Sequence, residues 1–320
     1  MDTPDSISDL INSGIKALTY PEGTPELFAP IRYTLDSGGK RLRPSLLLST
    51  FCALGGANAA DAMPQALGIE MFHNFTLLHD DVMDNADIRR GRPTVHRKWS
   101  EDAAILSGDT MLTMATGLMC DCDCRHLRRI LDLFNRTAME VYQGQQLDME
   151  FEKTRNVSVD RYMEMIRLKT SVLLACACGC GAILADASDD DFNRFYSYGV
   201  DLGLAFQLRD DWLDTFGDPM EFGKEIGGDI LNEKKTWLLI TALSETTDDM
   251  EGILQEDLEP QEKISQVKRV YRSLDLEKRC NELAERYVAE ALENLAHIRM
   301  EQVWKEYFTS LAINAARRTH

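Results

Sequence analysis

The sequence is poor in positive charge. Its 320 residues carry 35 lysines and arginines against 53 aspartates and glutamates, and the net charge at pH 7 is -18. Nucleic-acid phosphates attract basic surfaces, so this balance argues against a nucleic-acid-binding protein. It also disfavours docking on anionic lipid.

Long apolar runs and a targeting segment are missing as well. No uninterrupted apolar run approaches the ~20 residues that span a bilayer. The N-terminus, MDTPDSISDLINSG, is acidic and lacks the basic start and apolar stretch of a signal peptide. We therefore expect a soluble cytoplasmic protein without stable membrane insertion.

Proline is scarce, and strand-like alternation is nearly absent. The nine prolines fall mostly between segments with helical periodicity, where a missing N–H costs little. The pattern predicts an all-α fold: one large helical bundle over residues 1–320 with a central cavity. The acidic stretch Asp248–Lys263 is interpreted as a solvated connection. The predicted helices cover approximately residues 5–19, 25–37, 42–54, 59–84, 98–120, 123–151, 158–185, 188–216, 233–244, 260–272, 275–296 and 299–317.

Paired C-x-x-C spacing is also absent, although the chain has eight cysteines. Six of them alternate in CDCDC (residues 120–124) and CACGC (residues 176–180). In a helix, residues two apart point in different directions, so neither run predicts a zinc site. Small thiols packed in a reducing cytosol are the simpler interpretation.

Two copies of the pattern Asp-Asp-x-x-Asp are the most informative feature that is present. The first consists of Asp80, Asp81 and Asp84, and each copy ends an apolar, helix-like run. The first and third aspartates of a copy lie one helical turn apart, where like charges repel. A hard divalent cation removes that repulsion, and Mg²⁺ leaves coordination positions for phosphate oxygens. The second copy consists of Asp210, Asp211 and Asp214.

Each column of carboxylates continues towards the N-terminus as a largely apolar strip. In steps of four, Asp84 is preceded by Asp80, Thr76 and Phe72. Two such helices facing one another would form a pocket with a metal-loaded mouth and an apolar shaft. Such a pocket fits a ligand with a phosphate head and a hydrocarbon tail.

Basic residues cluster at a few joints of this acidic chain. They occur in GGKRLRP (38–44), in DIRRGR (87–92), at Lys169, in FGKEIGGD (222–229) and at Lys234 and Lys235. Arginine forks and glycine-rich turns bind phosphate. The joint pattern predicts two phosphate sites, one bridged by metal and one held directly by cations.

These residues resemble the trans-isoprenyl diphosphate synthase (polyprenyl synthetase) family over nearly the whole chain. The resemblance implies the all-α isoprenoid synthase fold, usually as a homodimer, and head-to-tail condensation of isopentenyl diphosphate with an allylic diphosphate. The matching segments are GGKRLRP (38–44), HNFTLLHDDVMDNADIRRGRPTVH (73–96), SGD (107–109), GQQLDMEFE (144–152), LKTS (168–171), FQLRDDWLD (206–214) and GKEIGGDI (223–230).

The resemblance also implies residue roles, beginning with three magnesium ions. Asp80 and Asp84 match the ligands of two ions and Asp210 a ligand of the third. The other motif aspartates, which would be ligands or outer partners, are Asp81, Asp211 and Asp214. The implied holders of the allylic diphosphate, with Thr170 beside the reacting carbon, are Arg89, Lys169, Gln207 and Lys224. The implied isopentenyl diphosphate site consists of Lys40, Arg43, His73 and Arg90. Lys234 matches a family lysine near the diphosphates, although the motif spacing leaves Lys235 as an alternative.

Product length is expected to depend on the fifth and fourth positions before the first aspartate, Phe75 and Thr76. One aromatic ring there, with no extra residues inside DDVMD, resembles a synthase of geranylgeranyl diphosphate (C20), with farnesyl diphosphate (C15) next. Phe75 would close the shaft because a ring in a close-packed wall is not displaced without cost.

Two other functions stay open at this point. A class I terpene cyclase also ionises a diphosphate with magnesium, but it normally carries one aspartate motif and lacks the GGKRLRP site. A non-catalytic partner subunit of a prenyl synthase tends to lose one or both aspartate motifs. A bare calcium module is disfavoured because the sequence has no EF-hand loop.

Overall fold

The structure, a computed structural model, describes residues 3–218 and 226–317. The all-α prediction is confirmed: in those residues the strands are limited to the pair β1 (Ile88–Arg89) and β2 (Arg92–Pro93). The α-helices are α1 (Pro4–Ala17), α2 (Pro25–Leu35), α3 (Leu42–Ala53), α4 (Met63–Met83), α5 (Val95–Lys98), α6 (Glu101–Cys120), α7 (Cys124–Lys153), α8 (Val159–Ile166), α9 (Val172–Leu184), α10 (Asp189–Phe216), α11 (Gly228–Leu231), α12 (Trp237–Glu245), α13 (Thr247–Gln255), α14 (Pro260–Ser273), α15 (Leu276–Ala296) and α16 (Gln302–Arg317).

Local signals explain where many helices begin. Hydroxyl side chains cap the first turns of α6 and α12: Ser100 Oγ accepts from the Ala103 amide at 3.1 Å, and Thr236 Oγ1 accepts from the Leu239 amide at 3.3 Å. Pro64 lies in the first turn of α4, where its missing N–H is harmless. The predicted helix 59–84 is therefore divided into a 3₁₀ turn, Ala59–Ala62, and α4.

One predicted connection is wrong, because Asp248–Lys263 contains helix α13 and the start of α14. The acidic residues of α13 hid its periodicity. Met250 is buried, and Ile253 and Leu254 are half-buried at the i+3 and i+4 positions. This is the apolar face of an amphipathic helix.

The predicted helix 158–185 is also more complex than expected. A π-helical segment, Arg167–Ser171, separates α8 from α9. Such segments occur frequently at functional sites.

Contacts group the chain into two compact units. The first comprises residues 1–136, 176–195 and 299–304, and the second comprises 137–175, 196–298 and 305–320. The prediction of a single domain over residues 1–320 stays a prediction.

In the first unit, α4 packs closely against α6. A Cβ on Gly68 would lie 2.9 Å from Met119 Sδ and 3.2 Å from the Ala115 carbonyl oxygen. Ile69 and Phe72 of α4 are fully buried. This contact fixes α4, whose C-terminal end carries the first aspartate motif.

In the second unit, α10 packs closely against the π-helical segment. A Cβ on Gly203 would lie 2.5 Å from the Ser171 Cα atom. Tyr198 is fully buried, and its hydroxyl donates to the Phe308 carbonyl at 2.8 Å. These contacts fix the end of α10 that carries the second aspartate motif.

Two stretches, Glu101–Cys120 and Val159–Leu184, are long and apolar enough to cross a membrane by length and composition. In the second stretch, 83% of its most apolar 18 residues are buried. A buried core helix passes the same test, so these two stretches are weak support for membrane insertion.

The alternating cysteines are free thiols, and while the CACGC run lies within α9, the CDCDC run forms the connection between α6 and α7. Cys176, Cys178 and Cys180 are buried in α9, and Cys120 and Cys124 are exposed. Burial raises the pKa of the Cys178 thiol to about 12. The Cys178 thiol is therefore protonated at neutral pH, and the three thiols of α9 pack as small apolar groups.

Asp201 of α10 gives a pH-dependent prediction. Its Oδ2 accepts from Asn294 Nδ2 at 3.3 Å, and burial, reinforced by Glu290, raises its pKa from 3.8 to about 7. The folded state keeps the proton where the unfolded state loses it, so this carboxyl costs stability progressively as pH rises from 3.8 to about 7. Because the side chain is only partly buried, we expect a cost of about 1–2 kcal/mol at pH 8.

Asp201→Asn should therefore raise the unfolding temperature by roughly 2–4 °C at pH 8, and by less at pH 5. Thermal unfolding followed by circular dichroism at both pH values measures this difference. Glu293→Gln, at an exposed position of α15, is the matched control. An equal shift at both pH values would contradict the assignment.

Candidate active site

The first aspartate motif lies at the C-terminal end of α4. Asp84 caps the helix, and its amide donates to the Asp80 carbonyl at 2.8 Å. Asp81 is buried and pairs with Arg89, with 2.6 Å between Oδ1 and Nε. Burial raises the pKa of Asp81, and Arg89 opposes that shift. A helix C-terminus already carries partial negative charge, so three carboxylates there favour binding of a cation.

A β-hairpin with a two-residue turn positions the basic residues that follow the first aspartate motif. Arg89 pairs with Arg92 across the hairpin, and the turn residues Arg90 and Gly91 have φ angles of 52° and 72°. Two positive φ angles are typical of a type I′ turn, which glycine favours. Arg89 therefore reaches Asp81, while Arg90 Nη1 donates to the Gly38 carbonyl.

A buried ion pair supports the GGKRLRP segment. Arg41 Nη1 lies 2.5 Å from Glu70 Oε1, and Arg41 Nη2 donates to the Leu35 carbonyl at 2.5 Å. Asn74 Nδ2 also donates to Glu70 Oε1, at 3.0 Å. This network fixes the start of α3 and hence the backbone between Lys40, which is exposed, and Arg43.

His73 is a neutral partner of Arg43. Arg43 Nη1 lies 3.1 Å from His73 Nε2. Because a guanidinium only donates, Nε2 accepts and the ring proton resides on Nδ1. Burial and the charge of Arg43 lower the pKa of His73 well below its usual value. His73 thus orients Arg43 and adds no charge of its own.

The second aspartate motif includes a fully engaged central carboxylate. Asp211 is 2% exposed. The Tyr162 hydroxyl donates to its Oδ2, and Gln207 Nε2 donates to its Oδ1 at 3.1 Å. The Thr170 hydroxyl donates in turn to Gln207 Oε1 at 3.2 Å. Burial, reinforced by the charge of Asp229, raises the pKa of Asp211 to about 7.

A further acid, Asp229, joins this motif. Its amide donates to Asp214 Oδ2 at 2.9 Å, and its Oδ1 lies 3.7 Å from Lys234 Nζ. Burial raises the pKa of Asp229 to about 6, and Lys234 opposes that shift. Asp210 and Asp214 are half-buried.

Lys234 and Lys235 have different surroundings. Burial lowers the pKa of Lys234, but nearby carboxylates, Asp229 first among them, outweigh this and raise it. Lys235 Nζ donates to the Glu233 carbonyl and lines a separate cavity of about 300 Å³. Lys224 lies outside the described residues.

The π-helical segment presents Lys169 to α7. Lys169 Nζ lies 2.6 Å from Asp148 Oδ2. A Cβ on Gly144 would lie 2.4 Å from the Lys169 backbone nitrogen, so only glycine permits this approach. Lys169 and Thr170 are adjacent in the π turn, and both are half-buried.

Phe75 is part of an aromatic row along α4. It is 6% exposed, and its ring centroid lies 5.5 Å from that of Phe72 and 4.8 Å from that of His79. Phe72 contacts Phe134 at 5.2 Å. Thr76 donates its hydroxyl to the His73 carbonyl at 2.8 Å. Phe75 is therefore held tightly by its neighbours.

The carboxylates of the two motifs have the oxygen chemistry that magnesium binds. Within residues 3–218 and 226–317, no group of three or more His, Cys, Asp or Glu side chains is placed to hold a metal ion. Mg²⁺ is usually bound by one or two carboxylates, with waters and substrate phosphates completing its shell. Asp80, Asp84, Asp210 and Asp214 offer such oxygens.

Four residues that pair with site residues or hydrogen-bond to them were not predicted from the sequence: Glu70, Asp148, Tyr162 and Asp229. Asp148 and Asp229 lie inside segments that match the family, and that match could have identified them. Glu70 and Tyr162 had no such signal, because their partners lie 29 and 49 residues away in the chain. Within the first unit Asp81 pairs with Arg89, Arg43 pairs with His73, and Arg90 bonds to the Gly38 carbonyl. Within the second, Thr170 and Gln207 connect to Asp211, Lys234 pairs with Asp229, and Lys169 pairs with Asp148. That the two motifs face one another stays a prediction.

Known proteins resemble this chain over most of its length. The family model described as "Polyprenyl synthetase" matches residues 24–274. The geranylgeranyl diphosphate synthase of Methanosarcina mazei is 39% identical over 285 residues, which cover 88% of this chain and 86% of that protein. The geranylfarnesyl diphosphate synthase of Natronomonas pharaonis is 36% identical over 267 residues, 78% of each chain.

Solved structures are similar over the full length. A crystal structure of geranylgeranyl pyrophosphate synthase has a TM-score of 0.94 at 40% identity and covers 100% of both chains. The geranylgeranyl pyrophosphate synthetase of Pyrococcus horikoshii Ot3 has a TM-score of 0.88 at 30% identity, covering 98% of this chain and 95% of that one.

Proposed function

The chain belongs to the polyprenyl synthetase family and is a trans-prenyltransferase, and we propose that its main product is geranylgeranyl diphosphate. The substrates are isopentenyl diphosphate and an allylic diphosphate. The observation that supports this product length is the buried ring of Phe75 on α4, five residues before the first motif aspartate. Relatives named for C20 and C25 products support this length over C15.

Isopentenyl diphosphate binds to the cations of the first unit. Arg43, held by neutral His73, and Arg90, held by the Gly38 carbonyl, would grip its phosphates. Lys40 is exposed beside them in sequence and adds a third cation. Arginine forks suit such bidentate contacts.

Three magnesium ions would accompany the allylic diphosphate, of which Asp80 and Asp84 would hold two and Asp210 would hold one. These ions, when bound, neutralise charge on the departing diphosphate. Arg89, Lys169 and Lys234 add direct contacts, and each is held ready by a carboxylate. Lys224 is assigned to the same group by resemblance. Lys234 is surrounded by acids of the second motif, which supports Lys234 and not Lys235 as the lysine that contacts the diphosphate.

The reaction then needs no side-chain nucleophile. The allylic C–O bond breaks and its electron pair leaves with the diphosphate. The double bond of isopentenyl diphosphate attacks the resulting carbocation, a new C–C bond forms, and the proton lost from the adjacent carbon passes to the departed diphosphate. Apolar walls exclude water, which would otherwise quench the cation.

Phe75→Ala is expected to lengthen the product beyond C20, because it removes the ring that ends chain growth. Loss of a buried ring should also cost about 3–5 kcal/mol of stability. Phe75→Leu should give an intermediate length with a smaller loss. Chromatography of the dephosphorylated products measures both effects on length.

Phe51→Ala is the matched control, since Phe51 is also 6% exposed in the first unit. It should lose comparable stability and leave the product length unchanged. An unaltered C20 product from Phe75→Ala would remove Phe75 as the determinant.

We further propose a cytoplasmic homodimer. Ile105 and Leu106 on α6 are 43% and 58% exposed, and adjacent exposed apolar side chains favour burial against a partner. Light scattering at about twice the 36.2 kDa chain mass tests this assembly.

Incubation with radiolabelled isopentenyl diphosphate and each allylic primer, with and without Mg²⁺, tests the function. We expect a C20 product that requires both substrates and the metal. Pyrophosphate released from an allylic diphosphate alone would indicate a terpene cyclase, and no release at all would indicate a silent subunit. The comparisons favour neither alternative.

A further inference from the structure

A chain of four hydrogen-bonded side chains in the second unit ends at Thr170. The Tyr162 hydroxyl donates to Asp211 Oδ2, and Gln207 Nε2 donates to Asp211 Oδ1 at 3.1 Å. The Thr170 hydroxyl donates to Gln207 Oε1 at 3.2 Å. Tyr162 lies at the opposite end of this series of hydrogen bonds from Thr170, and the reaction proposed above gives it no role.

The direction of each hydrogen bond is fixed by its neighbours. Both Asp211 oxygens accept in this arrangement, Oδ2 from the Tyr162 hydroxyl and Oδ1 from the Gln207 NH₂ group. The amide oxygen of Gln207 must then face Thr170. Because that oxygen only accepts, the Thr170 hydroxyl must donate. The Thr170 oxygen consequently turns its lone pairs away from Gln207.

Tyr162 keeps Asp211 in this accepting arrangement. Asp211 is 2% exposed, and Tyr162 is buried as well. A buried carboxylate that lost this donor would be left partly unsatisfied, which is costly. It would then turn towards other donors, and Gln207 would no longer be held in one orientation.

We propose that Tyr162 is a positioning residue for prenyl transfer. Through Asp211 and Gln207 it orients the Thr170 hydroxyl so that its oxygen, and not its proton, faces the reacting carbon. An oxygen lone pair stabilises a developing allylic cation, whereas a proton would repel it. This inference rests on the proposed function, which puts Thr170 beside that carbon.

Tyr162→Phe tests the inference, because it deletes one hydroxyl and keeps the ring. We expect kcat to fall roughly 10- to 100-fold, as for a small misplacement of a reacting group. The KM for isopentenyl diphosphate should be unchanged, because its cations lie in the first unit. The KM for the allylic diphosphate and the binding of a non-ionisable allylic thiolodiphosphate, measured by calorimetry, should change much less than kcat, because Arg89, Lys169 and Lys234 still contact the phosphates.

Tyr198→Phe is the matched control. Tyr198 is also fully buried in the second unit, and its hydroxyl donates to a backbone carbonyl outside this chain of contacts. It should lose similar thermal stability and keep its kcat. Equal kcat values for the two variants would overturn the proposal.

A double-mutant cycle with Thr170→Val separates orientation from general damage. Without the Thr170 hydroxyl there is nothing to orient, so Tyr162→Phe should have little further effect on kcat in that background. A full additional loss would also overturn the proposal. If the unmodified protein does not join isopentenyl diphosphate to any allylic primer, the proposed function itself fails. That outcome differs from the two kinetic outcomes that would overturn the role of Tyr162.

Discussion

Asp80→Asn is expected to lower kcat about 1000-fold, since several kcal/mol of metal-derived charge stabilisation would be lost and each 1.36 kcal/mol is tenfold in rate. Asparagine has nearly the same shape, and the Asp80 backbone carbonyl keeps its bond to the Asp84 amide. The fold should therefore persist while one anionic oxygen disappears from the site. Steady-state kinetics at increasing Mg²⁺ should show partial recovery, because weaker binding is offset by mass action.

Asp81 and Asp87 provide two comparisons for this variant. Asp81→Asn removes the partner of Arg89, so its main effect should be a raised KM for the allylic diphosphate. Asp87 is 76% exposed and paired with Arg97, and Asp87→Asn should be silent. If Asp80→Asn kept more than a tenth of the kcat, a metal-binding role for Asp80 would be untenable.

Glu70→Ala is expected to lower stability by about 3–5 kcal/mol, because it leaves a buried charge without its partner. The Arg41 and Glu70 side chains are 5% and 4% exposed. Asn74 also loses an acceptor. Thermal unfolding should begin at a lower temperature, by on the order of 10 °C.

Replacing both partners distinguishes the ion pair from ordinary packing. Arg41→Met combined with Glu70→Leu removes both charges, and apolar replacement of a buried pair is often neutral or stabilising. The double variant should therefore be more stable than Glu70→Ala. It should still bind isopentenyl diphosphate less well, because Arg41 fixes the backbone between Lys40 and Arg43. Simple addition of the two single losses would count against a coupled pair.

The helices were largely predictable because their signals are local. Apolar residues at i, i+3 and i+4, and prolines at helix starts, report on neighbours within one or two turns. The failure at α13 has the same origin, since its apolar face consists of buried Met250 and the half-buried Ile253 and Leu254 among many acids.

Residue types at the candidate site were also predictable, but their pairing was not. The sequence put Asp81 and Arg89 eight residues apart with no sign that they bond, and the type I′ turn at Arg90 and Gly91 brings them together. It likewise gave no reason for a π turn at Lys169. That turn forms where Gly144 admits the Lys169 backbone.

The sequence by itself determined the helical architecture, the two carboxylate motifs and the family. These depend on periodicity and on short motifs, which are properties of neighbouring residues. Only the tertiary structure decided which carboxylate holds which partner: Glu70 with Arg41, and Asp211 with Tyr162. The physical reason is that a buried hydrogen bond depends on distance and direction in space, and residues 29 or 49 positions apart acquire these only when the helices pack.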